Sequence, residues 1–193
     1  GQPRQTIGRS LFKLTPMPNR KTDSNNQGMF STDYVGRSYT WAQGSYAERE
    51  ELAREHKAYG QGHFWFLVSD PRVPEPIRRA VAQWGWPRDE FVEHGNFPWQ
   101  VYVREARRMR GYYVITEHDC RGHRIAEDSI GLAAYAMDSH QVSRFVDEEG
   151  RLRLEGPFWQ TVPPYPVSYR AITPRTAEAT NLLVPVCVSA THA

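Results

Sequence analysis

Cysteine is nearly missing from this chain: Cys120 and Cys187 are its only two in 193 residues. One pair can close at most one disulfide, which excludes a disulfide-stapled scaffold and assigns no compartment. Long apolar runs are missing as well, and nothing approaches the ~18 consecutive apolar residues of a membrane-crossing helix. Excess charge of one sign is small, with a net +2, so no basic surface broad enough for nucleic acid is expected. Neither G-x-G-x-x-G nor H-E-x-x-H occurs. "GQGHFW" from Gly60 lacks the third glycine and falls late in a helical pattern. The opening "GQPRQTIGRS" has no apolar stretch of the signal-peptide kind.

What is present is aromatic and turn-rich. Six Trp, ten Tyr and eight Phe can furnish a core, and 14 Gly with 14 Pro supply turns. The length suits one domain, or one domain with part of another.

Residues 1–44 carry scattered Gly, Pro, Asn and Ser without a period and read as an extended polar loop with at most a short strand. Residues 45–97 read as helical. In "SYAEREELAREHKAYGQGHFWFLV", Ser45 and Glu48 fit a capping box, which satisfies two orphan backbone N–H groups. Tyr46, Leu52, Ala53, His56, Tyr59 and His63 mark one face. "PEPIRRAVAQWGWP" gives a second helix with Ile77, Ala80, Val81 and Trp84 on one side, stopped by Gly85 and Pro87.

From residue 98 the period changes to two, and 98–181 reads as an antiparallel sheet. "WQVYVRE" and "GYYVITE" are expected as paired strands, "SIGLAAYAMDSH" as another, and "SRFVDEEGRLRLEG" as a hairpin around Glu148–Gly150. "PVSYRAI" completes that region. "NLLVPVCVSATHA", residues 182–193, reads as a buried strand over Leu182–Val188. A chain that stops just after such a strand is expected to be part of a longer one. Helices first and strands later predict an α+β fold: a loop and two helices, then a largely antiparallel sheet.

Five groups could carry chemistry. Lys21, Asp23, Asn25 and Asn26, followed by Ser31, Thr32 and Asp33, can hydrogen-bond a polyhydroxylated or carboxylated ligand, or can merely shape a solvated loop. His118, Asp119, Cys120 and His123 are metal-capable, but without a second Cys pair zinc is a poor fit and a strand end at a site mouth suits them better. Arg104, Arg107, Arg108 and Arg110 can fork onto phosphate or carboxylate, although some must be surface charges. Asp138 and His140 stand two apart, which suits a base and its orienting carboxylate, or equally a sheet-edge pair. Tyr169, Arg170 and His192 lie on or just beyond apolar strands.

The ordered series "PNRKTDSNNQGMFSTDYVG", "SYAEREELAREHKAYGQG", "FLVSDPRVP", "YVREARRMRGYYVITEHD", "SIGLAAYAMDSH", "PPYPVSYRAITPR" and "NLLVPVCVSATHA" resembles the middle portion of bacterial FAD-dependent oxidoreductases of the large two-domain flavoprotein type. The resemblance runs from about Lys13 to the end. It implies a substrate-domain portion of a flavoprotein that takes a hydride from a polar substrate, polyhydroxylated compounds included. Residues 182–193 then belong to an incomplete FAD domain, whose phosphate-binding turn and closing helix this sequence does not contain. FAD is the implied cofactor of the parent protein, and the isolated portion is expected to be inactive. The implied partners are the small polar substrate and the remaining FAD-domain segments.

On that resemblance His140 and His192 are candidates for acid–base or orienting work. Lys21, Asp23, Asn25, Asn26, Asp138 and Arg170 are candidates for substrate binding, and Arg104, Ser189 and Thr191 for contact with the cofactor. No metal is implied. The alternatives are a carbohydrate- or ligand-binding module without redox activity and a metal-dependent hydrolase using His118, Asp119 and His123.

Overall fold

The computed structural model describes residues 13–25, 31–103 and 107–191. Asn26, Arg104 and His192, three of the candidate site residues, lie outside them, as does the side chain of Asn25. The chain divides into two compact units: residues 1–104 with 141–155, and residues 105–140 with 156–193.

In the first unit, strands β1 (Lys13–Met17) and β2 (Lys21–Asn25) form an antiparallel hairpin within the region read as loop. Asn19 and Arg20 turn it with φ of 59° each, a conformation that Asn tolerates better than most residues. Helix α1 (Tyr46–Ser69) starts where the capping box places it, with the Glu48 carboxylate on the Ser45 N–H at 2.7 Å. The expected apolar face is only partly realised. Leu52 is buried and His56, Tyr59 and His63 follow on its side, but Tyr46 is 89% exposed.

Asp70 ends α1 by accepting from the backbone N–H and guanidinium of Arg72. The chain then enters α2 (Glu75–Val81). Leu67, Val73, Ile77 and Val81 close into a small core against Phe64 and Val68. Trp84, expected on that side, is substantially exposed.

The second unit is built around Ile115, Cys120, Met137 and Ala171. It holds the short helix α3 (Glu117–Cys120), strands β3 (Ser129–Ala133) and β4 (Met137–Ser139). Strands β5 (Ser143–Val146) and β6 (Leu152–Glu155) belong to the first unit and form the hairpin expected there, with Gly150 at φ 75°. Back in the second unit are β7 (Phe158–Gln160), β8 (Tyr165–Ser168) and the short helix α4 (Tyr169–Ile172). The class is α+β, and among the described residues the strands make four two-stranded antiparallel pairs, β1–β2, β3–β8, β4–β7 and β5–β6.

Three expectations fail in detail. Residues 101–103 form no strand, and 111–115 contribute only isolated bridges, Gly111 with Pro174 and Ile115 with Ala190. The cause is partner choice: the Ile115 N–H donates to the Ser189 carbonyl, not to a hairpin neighbour. Leu182–Val188 is neither a strand nor buried, and Val186 is 87% exposed. A strand needs a neighbour to take its N–H and C=O groups. In this segment Met109 N–H reaches Cys187 and Val184 N–H reaches Ile172, at two separated points.

Candidate functional site

The densest polar centre lies in the second unit, where α3 presents Asp119 inward. Thr116 caps the helix, and the Asp119 carboxylate accepts from the Thr116 N–H at 2.7 Å and from its hydroxyl at 3.0 Å. Tyr113 donates its hydroxyl to the same carboxylate, and Arg124 contributes both Nε and Nη2. Asp119 is 1% exposed. Burial pushes its carboxyl up, yet the hydrogen bonds from Arg124, Tyr113 and Thr116 outweigh this and hold it at about 2. A group so far below neutrality is a fixed anion and a poor general base.

A second acid–base pair adjoins it. Arg170 ion-pairs with Asp128 at 2.9 Å, and Asp128 also accepts from the Ser168 hydroxyl at 2.9 Å. The Arg170 hydrogen bonds hold the Asp128 carboxyl far below the usual carboxylate range. Both guanidiniums lie over the Tyr113 ring, Arg124 at 4.3 Å and Arg170 at 5.7 Å from its centroid. One aromatic face with two cations, each neutralised by its own carboxylate, makes a rigid platform. Tyr165 sits beside Cys120; burial and that thiol push its hydroxyl up to about 12.

Ser189 and Thr191 are brought to this platform's backbone. Ser189 N–H donates to the Ala171 carbonyl at 2.8 Å, and Thr191 N–H to Ile115 at 2.8 Å. Ser189 is 1% exposed, and among the described residues its hydroxyl meets no hydrogen-bond partner. Arg108 donates to the Thr191 carbonyl at 2.5 Å. Asp138 and His140 sit elsewhere in the same unit. Asp138 is half-buried on β4 opposite Trp159, and its neighbours Met137 and Ser139 face inward. His140 follows just past the strand end, and its carbonyl accepts from the Ser139 hydroxyl.

Lys21 and Asp23 lie in the first unit, on β2. Lys21 is held between Glu90 at 2.7 Å and Asp89 at 2.9 Å, and hydrogen bonds to these two raise its pKa. It is an anchor for the hairpin. In the same unit Ser31 is buried, with Tyr59 donating to its carbonyl and Arg144 to its hydroxyl. Tyr34 stacks on Tyr59 at 4.4 Å, and His63 lies beyond Tyr59. Burial and Arg144 lower the His63 pKa.

The metal-capable segment disperses. Asp119 and Cys120 turn inward while His118 and His123, 5.9 Å apart between ring centroids, stay exposed. Among the described residues no group of three or more His, Cys, Asp or Glu is placed to hold a metal ion. Asp128 escaped the sequence reading because it meets Arg170 across 42 residues, whereas Arg124 and Tyr113 lie close to Asp119 in the chain and had the Thr116–Asp119 capping spacing as their one local signal.

A dinucleotide needs an uncapped helix start for its pyrophosphate. The start of α1 is filled by the Glu48 carboxylate, bonded to the N–H and hydroxyl of Ser45. A second anion there meets repulsion instead of open N–H groups. The start of α1 is therefore closed to a pyrophosphate. No described helix is long and apolar enough to cross a membrane.

One family model, described as FAD dependent oxidoreductase, matches residues 2–193. No curated protein and no solved structure matches the chain.

Proposed function

The chain belongs to the FAD dependent oxidoreductase family, and on that premise we propose that it carries the substrate-facing portion of a flavin oxidoreductase. The observation that carries this reading is the closed start of α1, where Glu48 occupies the place a pyrophosphate would need. The flavin's nucleotide cradle then comes from other segments of the natural protein. In this reading the substrate is polar and polyhydroxylated, and its oxidation is a hydride transfer. What supports a polar substrate is the order of the β1–β2 hairpin, whose Lys21 is fixed by two carboxylates so that Asp23 is presented on a defined register opposite Thr15.

Within this chain His140 and Asp138 are the proposed proton-handling pair, with His192 as a second acid–base candidate. Asp23, Asn25 and Asn26 are proposed to bind substrate hydroxyls. Arg170 and Lys21 act as positioning residues because each already holds a carboxylate. Arg104, Ser189 and Thr191 are proposed to face the cofactor, the unbonded Ser189 hydroxyl being the group that supports it. Membership in an oxidoreductase family favours this function over a binding module or a metal-dependent hydrolase.

The test is anaerobic titration of the flavin-loaded natural protein with polyhydroxylated and carboxylated compounds. Bleaching of the oxidised-flavin band by the polyhydroxylated set supports the reading, and a colourless natural protein overturns it. His140→Gln and Asp138→Asn should slow flavin reduction at saturating substrate. Unchanged rates would remove both from the chemistry.

A further inference from the structure

The bridge between Gly111 and Pro174 is antiparallel, and both residues are buried. The neighbouring residues, Arg110 before Gly111 and Arg175 after Pro174, are both exposed. Both line one cleft of about 310 Å³, together with Met109, Pro174 and Glu178. Like charges sharing one cleft repel. Several guanidiniums of this protein sit against carboxylates, as Arg72 does with Asp70 and Arg151 with Asp147. Among the described residues Arg110 and Arg175 enter no ion pair, and the Glu178 carboxylate, which lines the same cleft, pairs with neither guanidinium.

The walls are held before any ligand arrives. Met109 N–H donates to the Cys187 carbonyl at 3.1 Å, and Glu178 N–H to the Arg175 carbonyl at 2.8 Å. The Tyr112 hydroxyl accepts from the Thr176 N–H at 2.9 Å and meets its Oγ1 at 2.8 Å. Gly111 keeps the floor tight, because a Cβ there would stand 2.7 Å from the Arg170 carbonyl oxygen. The backbone that carries these two exposed arginines is thus held on both sides of the cleft.

We propose that this cleft binds a doubly charged oxyanion of the phosphate class between the Arg110 and Arg175 guanidiniums. Planar guanidinium forks match tetrahedral phosphate oxygens with two parallel N–H···O bonds each. A dianion also relieves the repulsion between the two cations, which a neutral ligand cannot do. The volume admits a phosphate group with part of whatever carries it.

Titration of the ¹⁵N-labelled 193-residue chain with inorganic phosphate, AMP and acetate at constant ionic strength tests the proposal, read at the arginine Nε–H signals. Saturable shifts at Arg110 and Arg175 are expected with phosphate or AMP, with acetate much weaker. Tighter AMP binding identifies a phosphate ester as the ligand, and tighter inorganic phosphate identifies the free ion. Arg110→Gln and Arg175→Gln should each weaken binding by about tenfold or more, as expected for loss of a charged bidentate contact. Glu178→Gln should strengthen it severalfold, a gain that misfolding cannot mimic. Non-saturating shifts spread over exposed arginines such as Arg107 and Arg121, or a midpoint unchanged by Arg175→Gln, would overturn the assignment.

Discussion

Asp119 grips Arg124 through both carboxylate oxygens while only 1% of its surface meets solvent. The pair fixes α3 against the segment that follows it, and Tyr113 closes the ring from the other side. A buried charge of this kind is costly to expose alone, so the pair matters most when one member is removed.

Asp119→Ala leaves the Arg124 guanidinium, the Tyr113 hydroxyl and the Thr116 N–H without their acceptor. The expected loss is about 3–5 kcal/mol, measured by urea unfolding of the purified chain. A loss under about 1 kcal/mol would mean that solvent replaces the carboxylate freely, contrary to its burial.

The same carboxyl gives the protein an acid limit. Its folded pKa of about 2 lies below the ordinary 3.8, so the stabilisation is fully present above about pH 4 and fades as pH falls toward 2. The shift corresponds to about 2 kcal/mol. Asp119→Asn should flatten the stability profile across that interval relative to wild type. Asp70, also held at about 2 by hydrogen bonds from Arg72, keeps its own slope in both proteins. Identical profiles for wild type and variant would contradict the prediction.

Two glycines should respond in opposite directions. A Cβ on Gly111 would meet the Arg170 oxygen at 2.7 Å, the Thr173 oxygen at 3.0 Å and Ser189 Cβ at 3.1 Å, and the first two are backbone atoms that cannot swing away. Gly111→Ala should destabilise by about 1–3 kcal/mol. Gly62 lies within α1 with nothing within 4 Å of its added Cβ, so Gly62→Ala should stabilise by about 0.5–1 kcal/mol. Thermal melts of the two variants side by side decide both.

The cysteines should label at very different rates. Cys187 is exposed and Cys120 is buried against Tyr165. A thiol reagent at neutral pH should modify Cys187 rapidly and Cys120 only under unfolding conditions, as read by peptide mass spectrometry. Equal rates would show that the second core opens readily.

Flavin retention follows from the helix starts. With the α1 terminus closed by Glu48, the 193-residue chain mixed with FAD should emerge from desalting colourless. Stoichiometric yellow protein would show a nucleotide cradle built from other groups.

Local chemistry was readable in advance. Ser45 and Glu48 announced the start of α1, and Glu148–Gly150 announced the β5–β6 turn, because capping and turn conformation depend on residues within a few positions. The α+β class followed from the change of period. Asp119 was misplaced for the opposite reason: its segment read as a strand end at a site mouth, whereas it lies on the short helix α3 and its partners include Arg124 and Tyr113 on either flank. The expected strands at 99–105, 111–117 and 182–188 alternated suitably, but alternation says which face is apolar and not which backbone will answer.

Where helices begin, where hairpins turn and how charged the surface is were settled by the residue order itself, since each depends on short-range sterics and hydrogen bonds. Tertiary structure alone decided that Asp128 would meet Arg170, that Ser189 and Thr191 would dock on Ala171 and Ile115, and that Gly111 would pair with Pro174. These are contacts between distant segments, and their energy depends on a closure that no short window of sequence encodes.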